Sequence, residues 1–326
     1  MRSSRMTILV VGVLFVFNSG VQAVTIDWVT VGNAGNAADS TGYGGVSDVY
    51  QISTYEVTAG QYTDFLNAVD PTGTNTYELY NPLMNSNQYG CQITWNSGLS
   101  TYDFSGRPSG TTEADWSNRP VNYVSWYDTL RFSNWLHNGQ PTGGQTFSTT
   151  EDGAYDMSLG SSVVRKTGAS VWLPSEDEWY KAAYHKNDGV TGNYFLYPTS
   201  SDTIPGRDMT EATNPGNNAH YWDNNYLIGS PYYRTEVGEF ELSDSPYGTF
   251  DMGGNVWEWN EALIGSSRVR RGGSYHSSDS YLKSSTRFNN PPNVEDYHIG
   301  FRIASVPEPA TLLLLGLGAV MLRKKR

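Results

Sequence analysis

Cysteine is the residue that most restricts this chain, because the sequence holds one, Cys91, and begins and ends like an exported protein. Arg2 and Arg5 precede an apolar run, 8–17, and then small and polar residues ending Val21-Gln22-Ala23. That order describes a secretory signal peptide over residues 1–23, and the run is too short for a membrane span. An exported chain with a lone thiol has no internal disulfide framework and no multi-cysteine zinc site. Its stability has to come from a hydrophobic core and from bound cations. Cys91 sits in Tyr89-Gly90-Cys91-Gln92-Ile93 with no neighbouring His or basic residue to activate it, so it reads as a packed residue.

The far end is as directive. Val306-Pro307-Glu308-Pro309 is followed by an apolar stretch, 310–322, and by Arg323-Lys324-Lys325-Arg326. Such a stretch covers only about 20 Å as a helix, short of a hydrocarbon core of about 30 Å, and its basic end would stay cytoplasmic. The three parts in order resemble a PEP-CTERM sorting signal, 306–326, which implies an exosortase-type processing partner. The expected address is the cell envelope or the extracellular space, with the membrane touched only through this segment. Between the tags lies a body of residues 24–305. The formal charge of −12 grows more negative once Arg2, Arg5 and the basic tail are removed. A body of that sign offers nucleic acid no electrostatic footprint, whereas it suits divalent cations.

Three segments have helical periodicity. Thr58 caps a run with Tyr62, Phe65, Leu66 and Val69 on one face; Ser125 opens a second with Leu130, Phe132, Trp135 and Leu136, ending near Gly139; Ser175 to Glu178 forms a capping box before Trp179, Ala182 and Ala183. Short β-prone runs occur at 46–52, 256–259 and 268–270. Residues 73–115 carry no period and read as a long loop insertion. The expectation is one α+β domain with much irregular structure.

Several blocks then fall into a recognisable order. Tyr55-Glu56-Val57-Thr58 and Arg119-Pro120-Val121-Asn122 come first, then Trp172-Leu173-Pro174-Ser175 and Asp251-Met252-Gly253-Gly254-Asn255-Val256-Trp257-Glu258-Trp259. Arg270-Arg271-Gly272-Gly273-Ser274-Tyr275, Arg287 and Gly300-Phe301-Arg302 complete them. Together they resemble the formylglycine-generating, or sulfatase-modifying factor, family, which implies a C-type-lectin-like fold. In that family's oxidases two cysteines after the Gly-Gly-Ser element bind copper. Their positions here hold Ser277 and Leu282, and soft thiolates are what Cu(I) selects, so copper is not expected. The resemblance also implies calcium at Asp251, Gly254, Val256 and Glu258, with a second site starting at Asn218. Against this, Asp251 caps a turn and Glu258 pairs with an arginine such as Arg302. Trp257, Ser274, Tyr275, His276 and Arg287 are the candidate ligand-binding residues, with Tyr281 and Tyr297 as further stacking rings. His276 and His298 flank the same segment. Arg270, Arg271, Arg287 and Arg302 hold either an anionic ligand or nearby glutamates.

The function these readings imply is a non-catalytic, calcium-stabilised ligand-binding or extracellular-matrix module, its partner a polysaccharide or an envelope protein. The alternative is an oxidase of the formylglycine-generating type, or a non-haem iron enzyme, with an altered site.

Overall fold

A computed structural model describes residues 23–210 and 216–307. The signal-peptide reading, 1–23, and the sorting-tail reading, 306–326, lie outside the described residues except at 23, 306 and 307. Strands β1 (Trp28–Val31) and β2 (Tyr50–Ser53) precede helix α1 (Ala59–Val69). A short turn of helix, α2 (Leu83–Ser86), then leads into a hairpin of β3 (Thr94–Asn96) and β4 (Thr101–Asp103). Helices α3 (Ala114–Ser117) and α4 (Trp126–His137), strand β5 (Val171–Trp172) and helix α5 (Glu176–Tyr184) follow. The last part is β: β6 (Trp257–Ile264), β7 (Ser267–Arg271), β8 (Phe288–Asn290), β9 (Ile299–Gly300) and β10 (Ala304–Ser305).

All three expected helices form, and each starts on a reciprocal capping box: Thr58 with Gln61, Ser125 with Asp128, and Ser175 with Glu178. Each box satisfies two backbone N–H groups that a helix start leaves open. The apolar face of α1 packs on that of α4 through Phe65 and Phe132, whose rings are 5.3 Å apart. One sheet runs β1-β2-β10-β5 and another β8-β7-β6-β9. The first joins the two ends of the body, because Ala304 pairs with both Ile52 and Trp172.

Residues 73–115 correct the loop expectation. Leu79, Met84, Ile93, Tyr102 and Phe104 are buried in the main core together with Cys91. The Tyr62 hydroxyl donates to the Leu79 carbonyl at 2.8 Å, and the Asn67 amide donates to that of Tyr102 at 2.9 Å. The segment lacks periodicity because its apolar residues are anchored one at a time onto α1, not along a face of their own. Strand β1 lies outside the expected β-prone runs, β2 starts later than the 46–52 run, at Tyr50, and β6 extends past its expected end to Ile264.

Candidate functional site

The site region is built on two close backbone approaches. Gly254, at φ +93°, has no room for a Cβ, which would lie 2.2 Å from the His220 carbonyl; Gly272, at φ +95°, would clash with the Met252 carbonyl at 2.7 Å. The first presses the 251–256 turn against His220, and the second presses it against the start of the 272–282 loop. Strand β6 leaves the turn carrying Glu258, which is 1% exposed. Arg302 donates to Glu258 from Nε at 2.6 Å and from Nη2 at 2.9 Å, and Trp179 Nε1 adds a third bond at 2.6 Å. Arg302 also reaches the carbonyls of Ser53, at 2.9 Å, and Phe250, at 2.8 Å. Burial alone would lower the guanidinium pKa; Glu258 more than reverses that and holds it raised.

This arrangement bears directly on the four ligands the resemblance implies for calcium. The Glu258 carboxylate is bound by arginine and tryptophan. Asp251 accepts one bond, from the Gly238 amide at 2.6 Å, and burial raises its pKa to about 6. Beside them lies Glu56, 1% exposed, with neither carboxylate oxygen bonded. Its pKa is held well above the ordinary value by burial, then by Asp251 and Glu258. A carboxylate without donors has to carry a proton or meet a cation. At the second position, Asn218 is buried and its side-chain oxygen accepts the Asp208 amide at 2.9 Å.

At the two positions where the resemblance implies copper cysteines, Ser277 is nearly buried, its hydroxyl 3.1 Å from that of Ser274, and Leu282 belongs to a small core with Tyr197, Ala219 and Tyr221. Cys91 is fully buried and burial raises its thiol pKa. No thiolate pair therefore exists to hold Cu(I). Among the described residues, no three His, Cys, Asp or Glu side chains converge on a metal position. His276 and His298 both touch the Tyr297 ring, at 5.6 and 4.6 Å. His298 accepts from Arg270 Nη1 at 2.9 Å.

Aromatic rings form the outer surface of this region. Trp222 stacks on His276 at 6.1 Å and meets Tyr226 at 4.7 Å. Tyr226 touches Tyr233 at 5.2 Å, and Tyr233 touches Tyr89 at 4.6 Å. Tyr89 reaches Tyr297 at 5.1 Å, and Tyr297 returns to His276. The six rings close a circuit around Tyr275, which is fully buried. Trp222, Tyr226, Tyr89 and Tyr297 are half-buried and His276 is exposed. Burial and then His298 lower the His276 pKa, which favours the neutral ring. Asn122 braces the circuit by donating to the carbonyls of Tyr89, at 2.7 Å, and Tyr297, at 2.6 Å.

Of the candidate ligand-binding residues, only His276 faces solvent fully. Ser274 and Tyr275 lie beneath the circuit, and Trp257 is 3% exposed, packed against Tyr281 and Phe288. Arg287 pairs with Glu176, which also binds Arg271 Nε at 2.7 Å, so these arginines tie the end of β7 and the segment before β8 to α5. Sequence reading missed Tyr89, Trp222, Tyr226 and Tyr233. Each is a lone aromatic in an irregular segment, and only their meeting in space marks them.

Comparison with known proteins identifies the fold and the family. The sulfatase-modifying factor enzyme 1-like domain matches residues 34–306, and a PEP-CTERM protein-sorting motif matches residues 305–326. The formylglycine-generating enzyme of Bos taurus is 23% identical over 287 residues, covering 81% of this chain and 67% of the relative. That of Thermomonospora curvata is 23% identical, over 61% of this chain and 59% of its own. The inactive C-alpha-formylglycine-generating enzyme 2 of Bos taurus is 29% identical over 149 residues, 41% of this chain and 43% of its own. These matches leave a third or more of each relative's length uncovered. Among solved structures, Treponema denticola variable protein 1 superposes with a TM-score of 0.53 at 22% identity, over 88% of this chain and 97% of its own. CarF gives a TM-score of 0.50 at 19% identity, over 88% of this chain and all of its own. Both share the fold. No helix among the described residues is long and apolar enough to cross a membrane, and the sorting motif indicates export with C-terminal sorting. With its fold, its ordered blocks and its motif in agreement, the chain belongs to the sulfatase-modifying factor enzyme family.

Proposed function

We propose that this protein is a non-catalytic binding module of the cell envelope or extracellular matrix. Its ligand, a polysaccharide or an envelope protein, rests on the aromatic circuit that covers the place of the family's copper site. One observation carries the reading: six rings surround Tyr275 beside Ser277, whose carbonyl accepts from the Trp222 amide at 2.8 Å. Half-buried Trp and Tyr rings offer a large, rigid contact area at low entropic cost, and tyrosine hydroxyls at the rim supply hydrogen bonds. The relative named as inactive shows that this family includes members without the oxidase activity. An exosortase-type enzyme would process the tail.

The test is retention of the purified protein on envelope polysaccharide and envelope protein fractions. Replacing Trp222 and Tyr226 with Ala should weaken binding at least about tenfold, as loss of interface hot spots does. Binding unchanged in that variant refutes the surface. Oxygen consumption with a sulfatase-derived cysteine peptide and added copper decides the oxidase alternative; turnover would end the non-catalytic reading.

Calcium stabilisation is a separate part of the proposal. Its support is the bare Glu56 carboxylate beside Asp251, since Ca²⁺ takes hard oxygen donors. The ion would draw on these two side chains, with Glu258 engaged by Arg302. Adding Ca²⁺ to chelator-treated protein should raise its melting temperature, and Glu56→Gln should abolish the rise. No rise in the wild type rejects the ion.

A further inference from the structure

A second cleft shares no residue with the aromatic circuit. It has a volume of about 460 Å³ and is lined by Tyr77, Arg131, Gln145, Phe147, Glu151 and Met157, with Thr146 and Ser158 at its edge. That size lies within the range of about 300–1,000 Å³ typical of small-molecule sites. Two large rings are held in solvent at its sides: Phe147 is 69% exposed and Tyr77 is 41% exposed. Phe147 is kept there by the turn that bears it. The amides of Thr149, Thr150 and Glu151 all donate to the Thr146 carbonyl, at 3.1, 2.9 and 2.9 Å. The Tyr77 loop is tied across the cleft, its amide donating to Gln145 Oε1 at 2.8 Å.

The base of the cleft is a locked ion pair. Arg131 donates to Glu151 from Nε at 2.8 Å and from Nη2 at 3.1 Å, and both side chains are about nine-tenths buried. The Tyr77 ring lies over the guanidinium at 4.5 Å, and the Thr150 hydroxyl fixes Glu151 Oε1 at 2.9 Å. A guanidinium has five N–H donors, of which this pair uses two; a carboxylate has about four acceptor positions, of which three are filled. Donors and an acceptor are thus left side by side on a rigid, charge-compensated base. Neighbouring hydroxyls of a sugar ring need that pairing, because each hydroxyl both donates and accepts. The C–H face of a pyranose in turn stacks on an aromatic ring. The net charge of −12 disfavours sulfated or uronic ligands.

We propose that the Tyr77–Phe147 cleft binds a neutral pyranose residue of a glycan, its hydroxyls on the Arg131–Glu151 pair and its ring against both Phe147 and Tyr77. The site stands independently of the aromatic circuit. With both sites filled from one polymer, the second contact becomes intramolecular and avidity exceeds either affinity.

The experiment titrates the exported protein calorimetrically with short neutral oligosaccharides, glucans and N-acetylglucosamine oligomers. It is repeated with Phe147→Ala, Tyr77→Ala and Trp222→Ala. Phe147 is mostly exposed, so its variant should melt like the wild type. At least one sugar should bind, at least about tenfold more weakly in both cleft variants, as expected for stacking anchors. Failure of every sugar overturns the proposal, as does wild-type affinity in Phe147→Ala. Loss confined to Trp222→Ala also overturns it, by moving the sugar to the circuit.

Discussion

Arg302 carries an unusual share of the interior for one side chain. It binds Glu258 twice and spans to the carbonyls of Ser53 and Phe250, so it links β2, the 251–256 turn and β6. Truncating one partner of such a buried pair leaves a charge without its counter-ion, which costs about 3–5 kcal/mol. Arg302→Met should lose that much in urea unfolding, and adding Glu258→Gln should recover part of it; a loss under about 1 kcal/mol would mean the pair contributes little. The sequence offered this pair only as an alternative to calcium, since Glu258 suits both a cation and an arginine and no local pattern separates them. His220 is legible only in the fold. Its ring is 1% exposed, and burial, followed by Arg207, Arg119 and Arg234, lowers its pKa to about 3 against a smaller opposing contact from Asn255. The unfolded histidine protonates near 6.5, so between about pH 6.5 and 3 the unfolded state binds the extra proton and stability falls as pH falls. Asp251, at about 6, and Asp128 and Glu261, both at about 7, act oppositely: they favour folding at low pH and lose that contribution as pH rises through those values. His220→Gln isolates the histidine. Relative to wild type it should gain stability in urea melts between about pH 6.5 and 5, by up to about 1.4 kcal/mol per pH unit. Parallel wild-type and variant curves would contradict a buried neutral ring.

The helices were legible because their signals are local. Ser175 and Glu178 stand three apart before an apolar face, and the structure closes that box in both directions. The box on α5 is also joined to its surroundings, since Glu178 binds Arg165 at 3.0 and 3.1 Å and Trp172 Nε1 at 3.1 Å. Thr58 and Gln61 form a box without such an ion pair. Losing a cap hydroxyl costs about 1 kcal/mol, and up to about 2 in well-packed contexts. Ser175→Ala should therefore cost more than Thr58→Ala in chemical denaturation, and equal losses would show that the Arg165 contact is independent of the cap. Residues 73–115 were illegible for the opposite reason. Tyr102 is fixed by Asn67 and Asp70, so the information that orders the β3–β4 hairpin is written on α1. Isolated aromatics pinned by a distant helix produce no period for a sequence reader to find.

At the scale of the whole molecule, contacts distant in sequence decide both the site and the fold. The aromatic circuit draws Tyr89, the 222–233 loop, His276 and Tyr297 from separate stretches, which is why the sequence placed its candidates on one segment and found mostly residues that lie beneath the surface. The same remoteness governs assembly. In the sheet β1-β2-β10-β5 the last strand lies inside, between β2 and β5, and Arg302 reaches Ser53 across 249 positions. Pairing so non-local is slow, because the loop entropy is lost before the contacts reward it. The first sheet cannot close until residues 304–305 are in place, where the sorting motif begins. A chain ending after Pro307 keeps β10, Arg302 and the bond from the Val306 amide to the Ser170 carbonyl at 3.1 Å. It should unfold cooperatively at the temperature of the longer chain. A chain ending after Phe301, only six residues shorter, leaves Glu258 unpaired and opens β2 and β5 to water. It should show no cooperative thermal transition and rapid proteolysis, whereas a sharp transition in that shorter chain would show that the body folds without its last strand.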